Sequence, residues 1–167
     1  LGKSQDGIPY PCVRIEGADA YQSLVQHIQR NGFSRFAFIG GPNDLINHID
    51  RLKWFRATLK KRELDFDPNN IVSTDMSSTG GYEAARTLLS GSAPPDALLC
   101  VNDQTAYGVL HAAHEQGFTI GKDIAIRTNS CSRIITGRFD GKNNNFAILH
   151  HLPDFVTLTK EHCLKRS

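Results

Sequence analysis

Short apolar segments alternate with longer amphipathic segments along most of the chain, and this alternation constrains the fold most. The short segments, at residues 35–39, 71–74, 97–101 and 124–126, are apolar at successive positions and therefore on both faces of a strand. Strands of this kind pair in parallel and are joined by right-handed helical crossovers. The pattern predicts the α/β class, a Rossmann-like parallel sheet flanked by helices.

The longer segments carry apolar residues at helical spacing. The predicted inward positions are Tyr21, Leu24, Val25 and Ile28 in residues 18–31; Ile49, Leu52, Phe55 and Leu59 in residues 47–62; Tyr82, Ala85 and Leu89 in the third helix; and Ala106, Val109, Leu110 and Ala113 in the fourth. Gly32 and Gly117 are predicted to end the first and fourth helices. Ser78 or Thr79 is predicted to cap the third helix, and Asp103 the fourth.

A parallel sheet of this class binds ligands beyond the carboxyl ends of its strands, where loops lead into helices. Polar residues are concentrated at three of these loops, which are residues 43–51, 75–79 and 102–105. We expect the functional site at these loops.

Charge and cysteine content restrict the partners and the compartment. The net charge is +2, but residues 127–167 carry +4 and the rest of the chain −2. The well-patterned part therefore lacks the basic excess of a surface that grips nucleic acid. The four cysteines form no C-x-x-C pair and are interpreted as reduced thiols of a cytoplasmic protein, although two disulfides remain an alternative. No apolar run is long enough to span a membrane.

Sequence signatures of catalysis are absent. No G-x-G-x-x-G or G-x-x-x-x-G-K-[ST] loop follows a strand, and no G-x-S-x-G elbow is present. Of the seven histidines, His150 and His151 are adjacent and cannot share a helical face, and core or surface roles are favoured for all seven. Asp103 follows a strand, as a phosphorylated aspartate would, but lacks the acidic pair and lysine that such a site needs. No catalytic residue, cofactor or metal ion is predicted.

Five motifs occur in the order and spacing of one bacterial regulator family. Residues 32–42 (GFSRFAFIGGP) resemble the pattern G-H-x-x-I-A-x-I-x-G-P, and Arg51-Leu52 follow at the distance of its R-L-x-G-F. The other matches are residues 75–85 with G-D-[FW]-x-x-x-x-G-Y-x-A, residues 101–108 with A-N-D-x-x-A-x-G, and residues 121–126 with P-x-D-[IV]-A-[VI]. From about Leu1 to Ile126, the chain resembles the effector-binding domain of LacI–GalR transcriptional regulators.

The resemblance implies a type I periplasmic-binding-protein-like fold, in which two lobes close over a small effector such as a sugar or purine. It also implies a homodimer, whose contacts could use the helix at residues 104–116, and a separate helix-turn-helix domain that binds operator DNA. By this comparison residues 1–30 are a remnant of the first lobe, residues 31–126 are a largely complete second lobe, and residues 127–167 are a divergent tail of unclear role.

Four residues fall at effector-contact positions of that family. Arg51 matches an arginine that holds hydroxyl or carboxylate groups, a task that suits a forked donor; the alternative is a solvated helix arginine. Asn102 matches a polar contact at a strand end, with a helix cap as the alternative. Met76 stands where the family often places a stacking aromatic. Asp19 matches an acid that binds sugar hydroxyls in some members, or is an exposed acid at a helix start.

The sequence departs from the family at several positions, and other functions share its pattern. Phe33 replaces a usual histidine and Trp54 a usual glycine, and from Arg127 onward nothing matches the expected V-G-[FY]-D. Two alternatives to an effector-sensing repressor domain remain. The first is a periplasmic sugar-binding protein of a transporter, which predicts a signal peptide upstream. The second, more remote, is an α/β enzyme.

Overall fold

The computed structural model describes residues 17–64 and 66–128, together with the backbone of three two-residue strands further on. The helices are α1 (Ala18–Arg30), α2 (Ile46–Lys61), α3 (Ser78–Leu89) and α4 (Asp103–Glu115), with a short 3-10 turn at Pro68–Asn70. The strands are β1 (Phe36–Gly40), β2 (Ile71–Ser73), β3 (Ala97–Cys100), β4 (Ala125–Thr128), β5 (Ile134–Ile135), β6 (Phe139–Asp140) and β7 (Asn145–Phe146).

The main sheet has the strand order β2-β1-β3-β4-β5. Strands β1 to β4 pair in parallel, with Phe36 opposite Ala97 and Ala97 opposite Ala125, whereas β5 runs antiparallel to β4. Strands β6 and β7 form a separate antiparallel pair. The predicted α/β class and parallel sheet are confirmed.

Helices cover both faces of the sheet because successive strand residues point to opposite sides. On one face, α1 and α2 bury an aromatic cluster in which the rings of Phe38 and Phe55 lie 5.3 Å apart. On the other face, α3 and α4 pack small side chains against Ile39, Leu98 and Ile126. Each face therefore has its own apolar core, and apolar side chains cover the sheet on both sides.

Two glycines bring α3 and α4 into close contact. A Cβ atom on Gly81 would overlap the backbone of Thr105, and one on Gly108 would overlap the carbonyl oxygen of Ser78. Backbone atoms cannot move aside as a flexible side chain can, so both positions require glycine. This contact fixes the angle between α3 and α4.

Three local predictions were wrong. Ser77, not Ser78 or Thr79, caps α3, and the side chain of Asn102, rather than Asp103, caps α4. On α2, Ile49 is 49% exposed and its neighbour His48 is 2% exposed instead. The imidazole ring fills the space that Gly40, which lacks a side chain, leaves beneath the first turn of α2.

The predicted domain boundaries divide elements that pack together in the structure. The apolar face of α1 lies in the same cluster as β1 and α2, and β4 continues through Arg127 and Thr128. We therefore propose one packed unit from residue 17 to residue 128. The predictions for residues 1–16, and for the side chains of the tail after residue 128, lie outside the described residues. Of the four cysteines, the structure describes Cys100, which is a buried free thiol.

Candidate functional site

Three parallel strands end together at one edge of the sheet, and hydrogen bonds join the loops that follow them. The amide of Thr74 donates to the carbonyl of Gly40, and the amide of Val101 to that of Ile39, each at 2.9 Å. The hydroxyl groups of Ser73 and Thr74 donate to the carbonyls of Gly41 and Gly40 at 2.8 Å. These bonds hold the loops after β1, β2 and β3 in fixed positions before any ligand arrives.

Arg51 extends from the second turn of α2 across this edge. One guanidinium nitrogen donates to the carbonyl of Val101 at 2.6 Å. The guanidinium also lies near Tyr21 on α1: burial raises the pKa of Tyr21, and the charge on Arg51 partly offsets that rise. A guanidinium has five N–H groups. Since one of them holds the side chain at the strand end, the others can serve a bound oxygen atom.

Asn102 connects two of the loops. Its Oδ1 accepts the amide of Thr105 at 2.7 Å, and its Nδ2 donates to the carbonyl of Met76 at 3.1 Å. The helix-cap role considered in the sequence analysis is therefore present. Because the amide still has one N–H and lone pairs to offer, its contact with an effector remains a prediction.

Met76 adopts a left-handed backbone conformation, with φ of 64°. Its amide donates to the hydroxyl of Thr74 at 3.1 Å, and Asn102 holds its carbonyl. The thioether lies over Gly41, where an added Cβ would be 2.8 Å from the sulfur and 3.8 Å from Leu45. Such a conformation is unfavourable for a methionine and persists because the surrounding hydrogen bonds impose it.

The structure brings three of the four predicted residues to one edge. Arg51 donates to the carbonyl of Val101, the residue directly before Asn102, and Asn102 donates to the carbonyl of Met76. Asp19 is exposed in the first turn of α1, and no hydrogen bond or ion pair joins it to the other three. For Asp19, the geometry matches the alternative of an exposed acid at a helix start.

Other residues at this edge were not singled out from the sequence. Asp75 Oδ1 accepts both the hydroxyl and the amide of Ser77, at 2.6 and 3.0 Å, and these bonds lower the pKa of Asp75. The Asp-x-Ser spacing could have indicated this turn. His48 accepts the amide of Gly41 through Nδ1 at 3.1 Å. The consecutive glycines Gly40 and Gly41 at the end of β1 were the available signal that a bulky side chain covers them.

Sheets of this class bind small molecules at their carboxyl edge, and in this chain that edge carries a cation, an amide and an apolar side chain. Residues 25–135 match the family described as "Periplasmic binding protein-like domain". The chain belongs to this family.

Named relatives are bacterial regulators. The chain is 30% identical over 117 residues to the HTH-type transcriptional regulator AglR of Rhizobium meliloti, covering 70% of this chain and 33% of that protein. It is 34% identical over 101 residues to the ribose operon repressor of Escherichia coli, covering 60% and 31%. A regulatory protein of the LacI family from Chloroflexus aggregans superposes with a TM-score of 0.70 and 28% identity, covering 75% of this chain and 46% of that one.

The resemblance to LacI-type regulators is thus confirmed. The chain spans about one third of the length of these two curated relatives. Within residues 17–64 and 66–128, no helix combines the length and apolar character needed to cross a membrane.

Proposed function

We propose that the chain supplies one effector-binding lobe of a bacterial LacI-type transcriptional repressor. A small, sugar-like effector binds at the carboxyl edge of the sheet, and the signal reaches operator DNA through a domain outside this chain. The observation that carries this proposal is the hydrogen-bonded link of Arg51 to Val101 and of Asn102 to Met76. It places donors for hydroxyl groups beside an apolar wall at the edge where such sheets bind ligands.

Effector binding would act by favouring one arrangement of this lobe relative to its partner lobe. A ligand shifts such an equilibrium only if its affinity differs between the two arrangements. Arg51 lies in α2, and the loops that carry Met76 and Asn102 lead directly into α3 and α4. A displacement of the bound effector is therefore transmitted to three helices at once, and operator binding is sensitive to small changes in half-site spacing.

The relatives favour this reading over the two alternatives. AglR is named an HTH-type transcriptional regulator and the Escherichia coli relative a repressor, whereas a transporter's binding protein or an enzyme would act without a DNA-binding domain. We place the protein in the cytoplasm, where its operator DNA is found. The buried free thiol of Cys100 accords with a reducing compartment.

Replacing Arg51 by alanine is expected to abolish effector binding while leaving the fold intact. The guanidinium is at the rim of the sheet edge, partly exposed, and outside both apolar clusters. The test measures the thermal stability of the wild-type chain in the presence of each of a panel of monosaccharides. At least one sugar should raise the melting temperature of the wild type, and the same sugar should have no effect on Arg51→Ala.

Arg56→Ala is the matched control, since Arg56 is exposed on the same helix. This variant should respond to the sugar as the wild type does. An equal response from Arg51→Ala and Arg56→Ala would remove Arg51 from the effector site.

We further propose that the chain forms a homodimer through the outer face of α4. Tyr107 is 41% exposed there, on the same helical face as the exposed His111 and His114. Aromatic residues of this kind commonly anchor interfaces.

Tyr107→Asp is expected to weaken dimerisation at least about tenfold, because a carboxylate would lose solvent in the interface. Sedimentation equilibrium measures this, with the exposed α2 variant Lys53→Asp as control; equal dimer affinity in both variants would exclude this face.

A further inference from the structure

His48 is a buried imidazole at the edge of the candidate site. It lies in the first turn of α2 and is 2% exposed. Its ring covers Gly40, where an added Cβ would be 2.5 Å from Nδ1, and its centroid is 5.9 Å from that of Phe38. The Nδ1 atom accepts the amide of Gly41 at 3.1 Å. The ring therefore joins the end of β1 to the start of α2.

This geometry requires the neutral form of the ring. Since Nδ1 accepts a hydrogen bond, the ring hydrogen must be on Nε2. The Nε2 atom is itself buried and has no hydrogen-bond partner among the described residues. A protonated ring would carry two N–H donors, one directed at the N–H of Gly41 and the other at no acceptor. The cation is consequently disfavoured at both nitrogens.

Among the described residues, no charged group compensates for this cost. The described contacts of the ring are with Phe38, Gly40 and Gly41, none of which can ionise. The charged residues nearest to it along the chain are Asp44 on one side and Asp50 and Arg51 on the other. Burial lowers the pKa of His48 below its ordinary value of 6.5, and no charged neighbour contributes to the shift.

We propose that His48 positions the effector site, and that it does so only while its ring is neutral. Through Gly41 it holds the loop on which Met76 and Leu45 pack, and through α2 it sets the direction of Arg51, three residues further on. Protonation would break the bond to Gly41 and release the loop together with the first turn of α2. The effector part of this inference rests on the proposed function; the hydrogen bond itself does not.

The test compares the wild-type chain with His48→Asn and His48→Phe by NMR. Asparagine keeps an acceptor at the place of Nδ1 and cannot be protonated, whereas phenylalanine fills the space with no acceptor. Two quantities are followed between about pH 7.5 and pH 5, the range in which a histidine titrates: the hydrogen-exchange protection factor of the Gly41 amide, and the carbonyl carbon shift of Val101, which reports the bond from Arg51.

In the wild type, the Gly41 protection factor should fall as the pH drops below about 6.5, the ordinary pKa of histidine, by up to about tenfold per unit until the folded His48 itself titrates, and the Val101 carbonyl should shift with it. His48→Asn should show neither change, and His48→Phe should leave Gly41 unprotected at every pH. Retained protection in the wild type after its His48 ring signals report protonation would overturn the proposal. So would an identical pH profile in His48→Asn, a comparison that holds even if His48→Phe fails to fold.

The proposed function can fail separately. If the sugar panel produces no effect on wild type or Arg51→Ala while the Gly41 and Val101 signals follow the pattern above, His48 still positions this edge, and the ligand assignment alone is wrong.

Discussion

Arg127→Met is expected to stabilise the chain by about 3 kcal/mol, within the range found when buried ion pairs are replaced by apolar residues of similar size. Arg127 is 3% exposed on β4, opposite Leu99 in the sheet. No hydrogen bond or ion pair of its guanidinium is found in the part of the chain that the structure describes, and burial lowers its pKa to about 10. The group nonetheless remains charged at neutral pH, and no described residue supplies a compensating anion.

The surroundings of Arg127 make the cost larger. Burial is the main cause of the lowered pKa of His27, and the positive charges of Arg127 and Arg30 lower it further. Three basic groups therefore lie in one region. Methionine keeps most of the volume and removes the charge. Denaturant unfolding measures the difference, and Arg56→Met, at an exposed position, should change the free energy of unfolding by no more than about 0.5 kcal/mol. A destabilised Arg127→Met would show that the guanidinium has a favourable partner.

The second large effect is expected from Gly108→Ala, which should destabilise the chain by about 3 kcal/mol or prevent folding. The added methyl group would overlap the carbonyl oxygen of Ser78 and lie 2.6 Å from the amide nitrogen of Tyr82. Both neighbours are backbone atoms of α3, so the two helices would have to separate. That separation would open the small-residue core between α3 and α4.

Gly91→Ala is the control, because a Cβ there meets only the carbonyl oxygen of Leu88, at 3.8 Å. Its free energy of unfolding should stay within about 0.5 kcal/mol of the wild type, or rise as the unfolded chain loses freedom. Similar losses in both variants would mean that α3 and α4 do not pack as closely as described.

The fold was accessible from the sequence because two periodicities coincide in it. Strands such as residues 97–101 are apolar at every position, which only a sheet covered on both faces tolerates. Helices such as α1 repeat apolar residues at Tyr21, Val25 and Ile28. Sequence could not reveal that Ile49 points outward, because periodicity assumes an apolar residue at each inward position. Here a histidine occupies that position, held by a backbone hydrogen bond.

The site was accessible only in part. The placement of Arg51, Met76 and Asn102 at one edge follows from strand order and from the family motifs. What each side chain does there depends on distances that no motif contains. Asn102 has a cap role because its Oδ1 reaches the amide of Thr105. Asp19, which matches an acid found in only some members of the family, is exposed in the first turn of α1 and has no hydrogen bond or ion pair to the other three.

The departure from the family pattern after Ile126 has a physical counterpart. Where the family continues with apolar valine, this chain places Arg127 in a buried strand position, and the buried hydroxyl of Thr128 has no hydrogen-bond partner among the described residues. Sequence showed that the motif ends there. Only the structure shows that β4 continues through these residues and therefore buries a charge.

The most direct test of the effector site is chemical-shift mapping on the isotope-labelled chain during titration with the monosaccharide panel. The account predicts that a binding sugar perturbs amides at residues 41–51, 74–77 and 101–105, with the Arg51 side-chain signals moving most. Perturbations confined to the outer face of α4 or to the opposite edge of the sheet, or none with any sugar of the panel, would contradict it.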